Sequence, residues 1–161
     1  MKRNLIFTTA IIALSIISSC STTKNTGAKN LIATMQVDEP IPGVCDNSQV
    51  IAILPFPGNG QVKAHAPLSD QEIEAQLNAN VVFLQGKPDY NDKGMVNLIV
   101  NCKGEMVQCK IDNKTQSPEL DQQIVAVFNT LKKWKAGTVH GKPVDTSVLY
   151  SFEIKDGKVI L

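Results

Sequence analysis

Between Val144 and Ile154 every second position is apolar or strand-favouring: Val144, Thr146, Val148, Tyr150, Phe152 and Ile154. Alternation with a period of two predicts a strand that buries one face. Lys155-Asp156-Gly157-Lys158 then predicts a turn, and Val159-Ile160-Leu161 a short returning strand. Upstream, Val96, Leu98 and Val100 fall on one face of a strand, and Val107, Cys109 and Ile111 on one face of the next. A turn at Lys103-Gly104 sets the two against each other, with all six side chains toward one core. Between these strands and the last one the period changes to that of a helix. Leu120, Ile124, Val127, Phe128 and Leu131 form one apolar stripe. Ser117 is its expected cap, Pro118 takes the favoured first position, and Glu119 and Asp121 suit the first turn. Lys132 and Lys133 are expected to close its C-terminal end. Residues 96–161 thus predict an α+β module, a small antiparallel sheet with a helix packed across it.

Residues 44–95 predict a smaller unit lying on that module. Gln49–Phe56 and Gln61–Ala66 read as the arms of a hairpin turned at Pro57-Gly58-Asn59-Gly60, with Pro55 marking an edge or a bend. Ser69-Asp70-Gln71-Glu72 is a capping box, and Ile73 and Leu77 predict a short helix to about Ala79. Lys87 to Gly94 reads as a loop.

The order of strand pair, helix and strand, with the wording KWKAGTVHGKPV between helix and last strand, resembles the C-terminal domain of TonB-family proteins of the bacterial periplasm. Trp134, Gly137, Gly141 and Pro143 recur at the family's spacing. The resemblance implies a β-β-α-β fold and a binding module rather than an enzyme. In that family the strand after the helix offers its edge to a short segment of an outer-membrane receptor. Unpaired backbone groups then supply affinity and alternate side chains supply selectivity. Carried over, the edge is Asp145 to Glu153, with Asp145, Ser147, Leu149, Ser151 and Glu153 pointing outward. The implied partner is an envelope protein such as a TonB-dependent receptor, and the same edge could join two copies of the chain. Trp134 is expected to close the core, and Gly141-Lys142-Pro143 to shape the approach to the strand.

The opposite end of the chain departs from that family. Lys2 and Arg3 precede an apolar run from Leu5 to Ile17, too short for the roughly twenty residues that span a bilayer, so residues 1–19 read as a signal peptide. Ile17-Ser18-Ser19-Cys20 resembles a bacterial lipobox, which implies lipidation of Cys20, and Ser21 fits the pattern of outer-membrane sorting. The expectation is a lipid-anchored protein of the outer membrane facing the periplasm. Residues 20–43 read as a polar tether spanning about 25–30 Å. Without a membrane helix and a long Pro-rich stalk, the resemblance implies fold and peptide contact but not energy transduction. A structural envelope lipoprotein that keeps only the fold is the alternative.

Composition narrows the chemistry. Removing residues 1–19 takes away Lys2 and Arg3 and no acid, so 16 basic and 15 acidic residues become 14 and 15. No basic stripe is present, which argues against nucleic acid. His65 and His140 are the only histidines, and neither has a second ligand at metal spacing. No phosphate loop, H-E-x-x-H or G-x-S-x-G is found, so no catalytic residue, metal or cofactor is expected. Besides Cys20 the chain has Cys45, Cys102 and Cys109. In the expected hairpin Cys109 faces Leu98, roughly 13 Å along the strand from Cys102, too far to bridge. A Cys45–Cys102 disulfide with Cys109 buried as a thiol, or three free thiols, remain.

Overall fold

Ser117 begins the main helix as expected: its hydroxyl accepts the Leu120 amide at 3.4 Å, and α2 (Pro118–Thr130) follows. Leu120, Ile124, Val127 and Phe128 are its buried stripe. The helix stops one turn early for Lys132 and Lys133 to belong to it, and Lys133 adopts a positive φ of 65°. The structure, a computed structural model, describes residues 33–35, 39–53 and 60–161. The expected signal peptide and Cys20 lie outside the described residues.

The elements before α2 are β1 (Ala33–Met35), β2 (Val50–Ala52), β3 (Gln61–Val62), α1 (Asp70–Asn80), a 3-10 turn (Val82–Leu84), β4 (Asp92–Val100) and β5 (Met106–Asn113). After it come β6 (Gly137–Val139), β7 (Lys142–Val144), β8 (Thr146–Lys155) and β9 (Lys158–Ile160). The architecture is mixed α+β. One sheet runs β1-β2-β8-β4-β5 with β9 also on β8, and a small second sheet runs β3-β6-β7. The core lies between the two helices and the inward face of β4 and β8, where Ile73, Leu77, Val96, Leu98, Phe128 and Ile154 are fully enclosed. Trp134 closes one end, donating from Nε1 to the Leu131 carbonyl at 3.1 Å. Gly104, at φ 79°, turns the β4–β5 hairpin where any side chain would collide with the Trp134 carbonyl. No helix of the described residues is long and apolar enough to cross a membrane.

Three expectations about residues before β4 need correction. The arms of the expected N-terminal hairpin do not pair with each other: β2 runs antiparallel to β1 and parallel to β8, whereas β3 pairs β6 in the other sheet. Val50, Ile51 and Ile53 are all buried, and consecutive buried residues belong to a strand covered on both faces rather than to an alternating hairpin arm. Ala33–Met35, expected to fall within the tether, is strand β1. The Lys87–Gly94 loop is shorter, since β4 begins at Asp92.

The strand pair has the expected register of Leu98 with Cys109, but a bulge after Ile99 changes its end. Ile99 pairs Gln108 and Val100 pairs Met106, which leaves Val107 between them. Met106 therefore takes the core-side place expected for Val107. Val107 lies against the backbone of Gly43, where an added side chain would meet its Cγ1 at 2.8 Å.

Candidate functional site

β4 accompanies β8 along nearly all its length, from Asp92 opposite Ile154 to Val100 opposite Thr146. The other side of β8 is shared. Ile51 and Ala52 of β2 face Thr146 and Ser147, and Lys158 to Ile160 of β9 face Lys155 back to Glu153. Between them Val148, Leu149, Tyr150, Ser151 and Phe152 have no partner strand among the described residues.

The direction of the backbone groups in this interval follows from its two ends. The Ile51 amide donates to the Asp145 carbonyl at 2.9 Å, so Asp145 presents its carbonyl to the β2 side. Amide and carbonyl of one strand residue point the same way, and the direction alternates along the strand. At the far end Asp156 and Gly157, at φ 52° and 72°, make a two-residue turn that closes on Lys155 and Lys158. Both ends give the same parity. Ser147 therefore faces β2, Glu153 faces β9, and Leu149 and Ser151 direct two amides and two carbonyls into the open interval.

That interval is the floor of a groove of about 530 Å³. Its far wall is the segment Lys63–Ala66, with Ser69 and Asp70 at the start of α1 and Leu161 at one end. A narrower extension of about 170 Å³ runs toward Ala52, Ile53 and Thr146. The wall is fixed by two hydrogen bonds between His65 and Lys135, amide to carbonyl each way at 3.0 and 2.9 Å, and by burial of Ala64. The Ser69 capping box starts α1, its hydroxyl accepting the Glu72 amide at 3.3 Å while Glu72 accepts the Ser69 amide at 2.8 Å. Tyr150 lines the groove, and burial first, then the charge of Asp70, pushes its phenol up to about 12. The Lys63–Ala66 wall carries no motif that would have marked it in advance, and the capping box that includes Asp70 marks a helix start rather than a groove.

The residues expected to point outward from the edge behave differently from one another. Leu149 is 54% exposed, the largest apolar exposure on β8. The Ser147 hydroxyl donates to Asn97 Oδ1 at 2.9 Å, and the Ser151 hydroxyl lies 3.6 Å from the Met95 sulfur. Glu153 is exposed, but its backbone is opposite Ile160 of β9. Asp145 turns inward and is 3% exposed. It precedes β8, where the chain passes from one sheet to the other, so the alternation does not reach it. Its carboxylate accepts amides of Cys45 at 2.9 Å, Asp46 at 2.7 Å and Cys102 at 2.9 Å.

Cys45 and Cys102 are joined by a disulfide, with Cα atoms 6.0 Å apart. Disulfide and Asp145 together clasp the segment leading into β2 onto the β4–β5 turn. Cys109 is a free thiol that burial pushes up to about 12, which leaves it inert as a nucleophile. Cys45, Cys102 and Asp145 are near enough to hold a cation, but both sulfurs are consumed in the disulfide and the carboxylate is taken by amides. His140 shapes a turn, its amide donating to the Gly60 carbonyl at 2.6 Å.

The other strands of this sheet offer less. The outer side of β9 is sealed by α1: Asn78 donates to the Val159 carbonyl at 2.8 Å and accepts its amide at 2.9 Å, while Glu74 accepts the Leu161 amide at 3.1 Å. β5 is an outer strand, but it is bulged and carries exposed Lys110 and Asp112, features that blunt an edge. No family model, no curated protein and no solved structure matches the chain.

Proposed function

We propose that the protein is a lipid-anchored, periplasm-facing adapter of the outer membrane that captures an extended segment of an envelope protein by strand addition to β8. A component of TonB-dependent transport is the partner that the resemblance of the Trp134-to-Pro143 region favours. The observation that carries the reading is the run Val148–Phe152, five residues that have no partner strand among the described residues on the side away from β4, between two paired ends. Two amides and two carbonyls there give up to four new main-chain hydrogen bonds, each worth about 0.5–1.5 kcal/mol net. The order β4, β5, α2, β8 within one sheet supports the same reading. The sealing of β9 by Asn78 favours the second reading, a structural lipoprotein whose edges are managed to prevent pairing.

Partner capture from detergent-solubilised envelopes separates the two. Leu149→Pro removes an amide directed into the groove and leaves the β4 pairing alone, so it should abolish capture while circular dichroism stays near wild type. Leu149→Ala should keep capture within a few fold. A folded Leu149→Pro protein that still captures the same partner at wild-type yield excludes strand addition at this site.

A further inference from the structure

We infer that the end of the domain around Trp134 is a docking surface for anionic phospholipid headgroups, which seats the anchored protein on its own membrane in one orientation. The inference rests on the lipid anchorage proposed above and adds which part of the domain meets the bilayer. Two segments far apart in sequence build this end. The β4–β5 turn lies so close to the neck after α2 that a side chain on Gly104 would collide with the Trp134 carbonyl. Lys103 comes from the turn and Lys132, Lys133 and Lys135 from the neck, and all four are exposed. Two acids lie nearby: Glu105, whose carboxylate accepts from Asn101 at 2.8 Å, and Asp46, next to the disulfide. Beside the neck the flanks of the helices are neutral, with Gln76, Asn80, Ala126 and Thr130 along their cleft.

The rest of the domain gives this end its direction. α2 carries Glu119 and Asp121 in its first turn, roughly 20 Å from the neck at about 1.5 Å per residue. Neither α1 nor α2 contains a lysine or arginine, whereas α1 opens with Asp70 and Glu72. With 14 basic and 15 acidic residues after the signal peptide, total charge is nearly balanced, so its separation is what turns the domain in a field. The helix dipole accounts in part for Lys132 and Lys133, but not for Lys103, which arrives on a hairpin. Lys133 also takes a φ of 65°, a conformation cheapest for glycine or asparagine, so local stability does not explain a lysine there.

The kind of anion follows from the side chains this end offers. The chain's single arginine is Arg3, so no guanidinium fork reads an individual phosphate here. Trp134 is 5% exposed and cannot stack on a base. Four compact point charges suit a plane of many mobile anions, where each lysine strengthens binding about fivefold. The bilayer is also the anionic surface within reach. Thirteen residues lead from Cys20 to Ala33, at most about 45 Å when fully extended, and a domain of this size is roughly 35 Å across. They enter at the lysine end: Ala33 pairs Ala52, Ala52 pairs Ser147, and two residues earlier Asp145 accepts the Cys102 amide beside Lys103.

The test uses the lipidated, disulfide-intact protein, isotope-labelled and inserted into nanodiscs whose lipids include a gadolinium chelate on the headgroup. In discs of phosphatidylglycerol and phosphatidylcholine the amides of Lys103, Lys132, Lys133 and Lys135 should broaden, while those of Glu119 and Asp121 stay sharp. Salt at about 1 M, where screening acts within roughly 3 Å, should remove the difference. Lys132→Gln with Lys133→Gln should lower the ratio of docked to free protein about tenfold or more. Lys155→Gln with Lys158→Gln makes the same change of charge at the far turn and should leave that ratio within about twofold of wild type. Circular dichroism on both variants checks the fold. Equal broadening at both ends of α2, or broadening unchanged in pure phosphatidylcholine or by the Lys132 and Lys133 changes, overturns the docking surface and leaves the anchor standing. A protein that carries no lipid yet binds phosphatidylglycerol vesicles through the same four amides supports the surface and overturns the anchor. One that carries no lipid and ignores the vesicles overturns both. DNA or an acidic peptide that displaces the discs from these amides at physiological salt overturns the assignment to phospholipid.

Discussion

Asp145→Ala removes the carboxylate around which the N-terminal segment is clasped. Three amides, of Cys45, Asp46 and Cys102, lose their acceptor at once. An amide left without a partner in a buried place costs about 1–3 kcal/mol. Cys45 and Asp46 are exposed enough to find water, so the lower figure applies to them, and the total comes to about 3 kcal/mol. The disulfide bears on that number. It closes 57 residues, and chain entropy for a loop of that length is worth about 4 kcal/mol. It also prevents the Cys45 loop from swinging out to hydrate its amides. After reduction the loop is free to do so, and the cost of Asp145→Ala should fall to about 1 kcal/mol. Urea unfolding of wild type and variant, each oxidised and with excess dithiothreitol, gives all four values. An oxidised cost below about 1 kcal/mol, or equal costs in the two redox states, would show that the clasp does not hold the segment as described.

Two further outcomes are expected. Cys20→Ala should abolish incorporation of a fatty-acid analogue and leave unprocessed precursor, and continued labelling of the mutant would overturn the lipobox reading. In a Tyr90→Phe background Tyr150 should show little tyrosinate near pH 10, because its phenol is raised to about 12 by burial and then by Asp70. A raised folded pKa contributes stability that is complete below about pH 10 and is lost as pH climbs toward 12. Asp70→Asn should lower the midpoint, and half-ionisation of the folded protein at pH 10 would mean that Tyr150 is not enclosed as described.

The periodic elements were readable because each buries a single face. The α2 stripe, the capping box at Ser69 and the alternation of β8 are local patterns, and local patterns survive folding when nothing competes with them. The Leu98–Cys109 register followed from the hairpin length in the same way. The N-terminal strands were not readable. Three consecutive apolar residues at Val50–Ala52 fit a hairpin arm or a strand covered on both faces, and only the position of β8 decides between them. Val107 was misplaced because the bulge after Ile99 leaves no mark in an apolar-polar pattern. The extent of the candidate edge was not readable either. Asp145 seemed to belong to the alternation of β8, whereas its partners, Cys45 and Cys102, are 100 and 43 residues distant. Contacts of that separation are set by topology, and topology also brings Lys63–Ala66 across from Leu149.

Residue-resolved hydrogen exchange along β8, in the free protein and in the captured complex, tests the strand-addition claim most directly. The amides of Val148 and Tyr150 point to β4 and should exchange slowly in both states. Those of Leu149 and Ser151 should exchange fast in the free protein and join the slow set once the partner is bound. Protection of Leu149 and Ser151 as strong as that of Tyr150 in the free protein, or fast exchange persisting in the complex, would contradict strand addition at β8.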